Sequence, residues 1–543
     1  MGARGGAARR RGGTAAGLFG AALLVAGTVL TTGGAYAQPS PPPGGHSTGH
    51  GGGEDHDGRK GEHGRGGARS ADGPATAPTR RAAQPGSSAP AAPAPSASGD
   101  APGARPAPAP GAVLTAVDGG AGAAVPTAQG LQQALAAALA DRSLGEVTVA
   151  VADAGTGRLL YGSGENSPAT PASTTKLATA VAALSLIPGD TRLRTRVVRG
   201  ADPGTITLVG GGDPTLTALP ADQVQVGGQP ADADTAPASL DSLAQQTADA
   251  LKGLGTTTVR LDYDLSLYAG APQHRNHDGQ NIALVVPLMV DEGKADPKSR
   301  DDAPERVADP AAAAAEAFAA LLRARGITVT GKAAPAAAPT PAGPTAAPTP
   351  AAGPAPLGEV VSPTVARLVE RLLTTSDNQL AEAIARQVAL AAHQPASFEG
   401  AAAAVTQELS RLGVPMAGVV LNDGSGLHQG NAIPPAVLVR ILALAASEEH
   451  PALRPVLTGL PVAGFTGTLD RRYGAASGAA DAAGLIRAKT GTLSGVNTLA
   501  GTVVDADGRL LAFAVMTRTT APADAARAAM DRIAARLAGC GCH

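Results

Sequence analysis

The chain has 543 residues, 43 Lys plus Arg against 45 Asp plus Glu, no Trp, and an abundance of Gly (71) and Pro (45). A net charge of −2 and 2% aromatic residues leave no basic stripe or stacking platform, so no nucleic-acid partner is expected. The length allows two or three domains with ample core, and the only two cysteines, Cys540 and Cys542, stand too close together to clip two elements.

In chain order, Arg4 and Arg9 to Arg11 precede an apolar run of about 16 residues, Ala15 to Leu30, followed by Ala35 and Ala37. This is the pattern of an export signal over residues 1–37, with a mature start near Gln38; an uncleaved anchor is the alternative. Both place the protein outside the cytoplasm, at the wall or the outer membrane face. Residues 38–127 are Gly/Pro/Ala/Ser-rich and too poor in large apolar side chains to offset ordering entropy, so they read as a disordered tether. His46, His50, His56 and His63 within it fit no defined metal spacing and read as solvated linker.

Folded sequence starts with a helix whose face is marked by Leu131, Leu135 and Leu139. Val147–Asp153 and Arg158–Tyr161 flank a Gly-containing turn and predict a hairpin. Next comes PASTTKLATA, with Ser173 and Lys176 on one helical face. From Arg196 to Lys332, short strand-like runs between Gly/Pro/Asp turns predict mostly β insertion domains, and residues 333–356 form a Pro/Ala spacer. Two amphipathic helices follow, one marked by Val365, Leu368, Val369 and Leu372 and the other by Leu380, Ile384 and Val388, with Ser376-Asp377-Asn378 between them. The C-terminal part predicts a strand carrying Lys489-Thr490-Gly491, a hairpin turning at Asp505–Gly508, and a helix from Pro522 to Leu537. Five short strands from both chain ends, covered by the terminal helices, then make an antiparallel α+β body (128–195 and 357–543) interrupted by residues 196–356.

Lys176 and Lys489 are two of only seven lysines in an Arg-rich chain. A serine hydroxyl is a weak nucleophile until a neighbouring base takes its proton; a desolvated lysine amine can do so, whereas a guanidinium stays charged. The chain holds one SxxK, one SxN and one KTG, in that order.

Together these motifs resemble the penicillin-recognising serine enzymes. Within them, the 200 residues between Lys176 and Ser376, with LVGGGDPTLT (208–217) and NDGSGL (422–427), resemble the D-alanyl-D-alanine carboxypeptidase and endopeptidase family of class C low-molecular-mass penicillin-binding proteins, peptidase family S13, over about residues 128–537. The resemblance implies a penicillin-binding-protein/serine β-lactamase-like transpeptidase domain. It also implies Ser173 as nucleophile, Lys176 as proton acceptor and Ser376 as proton relay. Asn378 would bond the substrate backbone, Lys489 and Thr490 its terminal carboxylate, and Gly491 would leave room for the peptide. The backbone N–H groups of Ser173 and Thr492 would form the oxyanion hole. Implied partners are peptidoglycan stem peptides ending in D-Ala-D-Ala and β-lactam antibiotics, with no cofactor or metal; peripheral or N-terminal membrane association is allowed by the apolar N-terminal run.

A β-lactamase shares the three motifs, but no ExxLN follows SDN to place a deacylating water as in class A enzymes. A non-catalytic wall-binding protein has no need of amines at both 176 and 489. No GxSxG elbow is present in the folded stretch from residue 128 onward. His274 and His277 read as a surface loop, His428 as a turn residue, and Asp423–Gly426 as a tight loop.

Overall fold

The computed structural model describes residues 123–226, 228–301, 303–336 and 355–543. The expected signal, all but the end of the tether and most of the Pro/Ala spacer lie outside the described residues. Helix α1 (Ala128–Leu139) is N-capped by Thr127, whose hydroxyl accepts from the Gly130 N–H, and buries Leu131 and Leu135. A hairpin of β1 (Glu146–Asp153) and β2 (Leu159–Ser163) follows. Its turn closes on the Asp153 carboxylate, which accepts from the Thr156 N–H at 2.7 Å. A single 3₁₀ turn (Ala172–Thr174) then runs into α2 (Thr175–Leu186), whose first ten residues are all buried.

The chain next enters the insertion: β3 (Arg192–Arg199), β4 (Thr205–Val209), the two-residue ladder of β5 (Gln225–Val226) and β6 (Gln229–Pro230), α3 (Leu240–Gly253), β7 (Thr258–Asp264), α4 (Pro310–Ala324), β8 (Thr328–Pro335) and β9 (Gly358–Thr364). Its sheet runs β8-β7-β4-β3-β9, parallel at β8/β7 and β7/β4 and antiparallel at the other two joints. The sheet therefore includes Arg192–Thr195 and Gly358–Thr364, which the sequence reading placed in the body. The expectation of mostly β insertion domains needs correction, because α3 and α4 pack Leu243, Leu251, Phe318 and Leu322 over Leu208 and Leu261 in one core. Parallel neighbours cannot be joined by a tight turn, and these helices are the crossovers that parallel pairing requires.

Back in the body come α5 (Val365–Thr374), α6 (Asn378–Ala391), α7 (Phe398–Arg411), α8 (Pro435–Ala446) and the short α9 (Pro455–Thr458). They are followed by β10 (Ile486–Leu493), β11 (Val496–Val504), β12 (Leu510–Arg518) and α10 (Ala523–Ala538). The body sheet runs β10-β11-β12-β1-β2, antiparallel throughout, as expected. Alternation along the strands separates two cores. Ala150, Ala152, Ala512, Ala514 and Met516 face α2, α5, α6 and α8. Val149, Val151, Leu511, Phe513 and Val515 face α1 and α10. Small residues on the first face let the central α2 lie close to the sheet, which brings the residues at its N-terminus up to the edge strand β10.

Cys540 and Cys542 are joined to each other and so link no separate elements. Their tail is docked all the same: the Thr127 N–H donates to the Cys542 carbonyl at 2.7 Å.

Candidate active site

The three motifs converge. Ser173 lies in the 3₁₀ turn ahead of α2, half-buried, behind Ala172 in the left-handed region at φ 47°. One turn on, the fully buried Lys176 points its Nζ at Ser173 Oγ (3.0 Å), Asn378 Oδ1 (2.7 Å) and the Ser425 carbonyl (2.7 Å). On β10, Lys489 is equally buried, and its Nζ donates to Ser376 Oγ at 2.8 Å and to the Thr490 carbonyl at 2.7 Å. Two amine–hydroxyl pairs thus stand together, one within a single motif and the other joining two motifs 113 residues apart.

Burial pushes the Lys176 amine down to about 8, against the upward pull of the Asp423, Glu382 and Asp377 carboxyls. Burial and the neighbouring Lys176 hold Lys489 well below the usual lysine range. Desolvation penalises the ammonium form, which leaves a usable fraction of free amine beside Ser173.

β10 is the edge strand, so part of its backbone N–H set points away from β11 toward the Ser173 turn. Gly491 sits where the two meet: a Cβ there would lie 2.9 Å from the Pro171 oxygen and the Ser173 nitrogen, and 2.2 Å from Thr498 Oγ1. Its missing side chain therefore accommodates the loop carrying the serine. Thr498 secures that loop by donating to the Pro171 carbonyl at 2.8 Å. Thr490 shares a hydrogen bond with Thr468 at 2.7 Å, and the exposed Thr492 hydroxyl accepts from Arg527 at 3.3 Å.

A third wall is the loop Asp423–Gly426. Gly426, at φ 88°, lies so near Ala172 that a Cβ would stand 1.9 Å from its oxygen. Two buried carboxylates hold this loop. Glu382 accepts from the Ser425 N–H at 2.8 Å, and Asp423 accepts from Gly426 N–H (2.8 Å), Asn431 Nδ2 (2.7 Å), His428 N–H (2.7 Å) and His277 Nε2 (2.8 Å). His277 is thus no surface residue: it is 7% exposed and carries the insertion's loop onto the site. His428 is a turn residue, as read, whose ring also meets Asn276 of that loop. His277, Glu382 and Asp423 have the donor types of a metal centre, but backbone N–H groups and the His277–Asp423 bond already occupy the carboxylate oxygens.

Reading the sequence missed Glu382, Asp423, His277 and the Ser425 carbonyl. Glu382 carried a signal, since it stands one turn after Asn378 on the same face of α6. His277 carried none, because its partner is 146 residues away.

The family model described as "D-Ala-D-Ala carboxypeptidase 3 (S13) family" matches residues 131–305 and 295–537. The chain is 38% identical over 428 residues to "Carboxypeptidase DacB" of Mycolicibacterium smegmatis, covering 77% of this chain and 86% of that protein. It is 29% identical over 450 residues to a "D-alanyl-D-alanine carboxypeptidase" of an Actinomadura species, covering 72% and 80%. The fold is similar to that of penicillin binding protein 4 (dacB) from Haemophilus influenzae, with a TM-score of 0.57 at 20% identity over 76% of this chain and 98% of that one. The same protein has been solved in complex with a β-lactam, with a TM-score of 0.53 at 20% identity over 74% and 98%.

Proposed function

The chain belongs to the D-Ala-D-Ala carboxypeptidase 3 (S13) family and is a serine-type D-Ala-D-Ala carboxypeptidase, and from that premise we propose that it is an exported enzyme that trims, and also cuts cross-links in, peptidoglycan stem peptides through an acyl-enzyme on Ser173 that penicillin traps. The observation that carries this reading is the Lys176 Nζ, buried and 3.0 Å from Ser173 Oγ.

In acylation the Ser173 hydroxyl gives its proton to the free Lys176 amine, and Oγ bonds to the carbonyl carbon of the penultimate D-Ala. The oxyanion is met by the Ser173 and Thr492 N–H groups, each such donor being worth about 3 kcal/mol in acyl-transfer sites. The C–N bond then breaks as the proton held by Lys176 passes through Ser376 Oγ to the leaving nitrogen, which returns Lys176 to its free amine. In deacylation, water gives a proton to the Lys176 amine, its oxygen adds to the ester carbonyl, and Ser173 Oγ leaves and recovers a proton.

Asn378 is suited to hold the substrate backbone. Lys489 and Thr490 are suited to the terminal carboxylate, whose arrival stabilises the Lys489 ammonium. The signal pattern at residues 1–37 supports export, and the β-lactam complex of the Haemophilus influenzae protein supports penicillin as a ligand.

The test is release of D-alanine from diacetyl-L-lysyl-D-alanyl-D-alanine. It should fall by about 10⁴-fold or more in Ser173→Ala, together with loss of covalent penicillin labelling; unchanged release in that variant removes the assignment.

A further inference from the structure

Ser376 holds a conformation that its own residue type disfavours, with φ at 59°. A non-glycine residue persists in the left-handed region only where its surroundings over-determine it. Those surroundings come from the insertion. Glu292 is 6% exposed, and its carboxylate reaches both flanks of Ser376. It pairs with Arg371 in the last turns of α5, and it shares a hydrogen bond with Asp377, the N-cap of α6, whose carboxylate also accepts from the Leu380 N–H at 2.9 Å. Lys294 Nζ completes the group, 2.8 Å from Glu292.

Burial and the adjacent Glu292 push the Asp377 carboxyl up. Glu292, despite its burial, is held low by Arg371 and Lys294. The remaining charged groups facing the cluster are Asp213, Asp291 and Lys176.

Glu292 is itself strained into place. Asp291, Glu292 and Gly293 have φ of 51°, 60° and 69°. The segment LVGGGDPTLT holds them there: the Asp291 N–H donates to the Leu216 carbonyl at 2.8 Å, and the Glu292 N–H to the Pro214 carbonyl at 2.9 Å. Thr217 Oγ1 bonds the Asp291 carboxylate at 2.5 Å. That segment touches neither Ser173 nor the two motif lysines, and holding this loop is its visible task.

We propose that Glu292 is a positioning residue for the hydrolytic reaction: by tying Arg371 to Asp377 it fixes the backbone of Ser376, so that its hydroxyl meets Lys489 and can hand a proton to the leaving amine. The proposal rests on the reading of Ser376 as proton relay. That dependence sets the experiment, because a leaving amine needs a proton whereas a leaving thiolate does not.

Release of D-alanine from the diacetylated tripeptide is compared with hydrolysis of the matching thiolester in Ser376→Ala, Glu292→Ala and Glu292→Gln, each with a thermal melt. Glu292→Ala should lose about 100-fold in kcat on the peptide with little change in KM, and no more than about fivefold on the thiolester, parallel to Ser376→Ala. Glu292→Gln, which keeps one acceptor oxygen, should recover about tenfold of the peptide rate. Equal losses on both substrates, or none, in Glu292→Ala while Ser376→Ala remains selective would overturn the proposal. A non-selective Ser376→Ala overturns the relay itself and this proposal with it. Should the alanine variant not fold, the glutamine variant is read by the same ratio of peptide to thiolester loss.

Discussion

The two five-stranded sheets of this chain are built differently. In the body, β11 and β12 are buried along almost their whole length, with helices on both faces. In the insertion, β3 and β7 alternate buried and exposed residues, the pattern of a sheet with one face in water. The doubly covered sheet carries Lys489, and the central helix against it carries Lys176. The singly covered sheet carries neither, and sends two loops, at 274–284 and 291–293, onto the motifs. The motif lysines thus stand in the doubly covered body, and the singly covered domain supplies contacts that hold the residues around them. His277 on Asp423, Glu292 on Asp377, and the Asn281 carbonyl accepting from Asn378 Nδ2 at 3.2 Å are those contacts.

The sharpest way to break this division is Lys176→Arg. It preserves charge but removes a base that can become neutral, and should cost about 10³-fold in kcat/KM with the fold intact. A loss under tenfold would move the base elsewhere. In the native enzyme the same amine, as the proposed base, should set the acid limb of the pH profile. Its pKa lies at about 8 and the free form is the active one, so kcat/KM should rise with pH up to that value and level off above it. A fall across pH 6 to 8 in stopped assays contradicts a free-amine base.

Gly491→Ala tests the body's close packing, since its Cβ meets the Ser173 nitrogen at 2.9 Å. Activity should drop about 30-fold by displacement of the nucleophile, with a cost of about 2 kcal/mol in a denaturant titration. His277→Ala tests the insertion's reach. Asp423 loses one of its buried partners, at a cost of about 1 to 3 kcal/mol, and activity should fall about tenfold as the Asp423–Gly426 loop loosens. Equal activity with and without the imidazole would reduce the insertion's loop to packing. The smallest effect is expected at Arg260→Ala, whose partners Asp202 and Asp262 lie on the insertion's solvent side. Neither the midpoint of a thermal melt nor the activity should change measurably.

The body was the more legible half. Its strands are apolar runs bounded by turn residues, its helices show stripes at 365–372 and 380–388, and the hairpin turn at Asp505–Gly508 follows from local chemistry. The insertion was read as mostly β because short β-branched runs are conspicuous, whereas α4, between two of its parallel strands, is so Ala-rich that its apolar stripe is blurred. At the site, residue types carried the information. A lysine kept among arginines at 176 and 489, three residues after one serine and two residues before a glycine, is a chemical requirement visible in one dimension.

What remained hidden were the partners whose value lies in position. Glu382, Asp423, His277 and Glu292 are ordinary surface residue types in composition, and only folding buries them next to Lys176 and Ser376. The same holds for Gly491, whose reason to be glycine is a neighbour more than 300 residues away in sequence. The chain itself determined which atoms can react, because nucleophile and amine chemistry belong to the side chain. The tertiary structure decided how far each amine is desolvated and which backbone is held under strain. Both depend on dielectric and contact, and no single residue carries them alone.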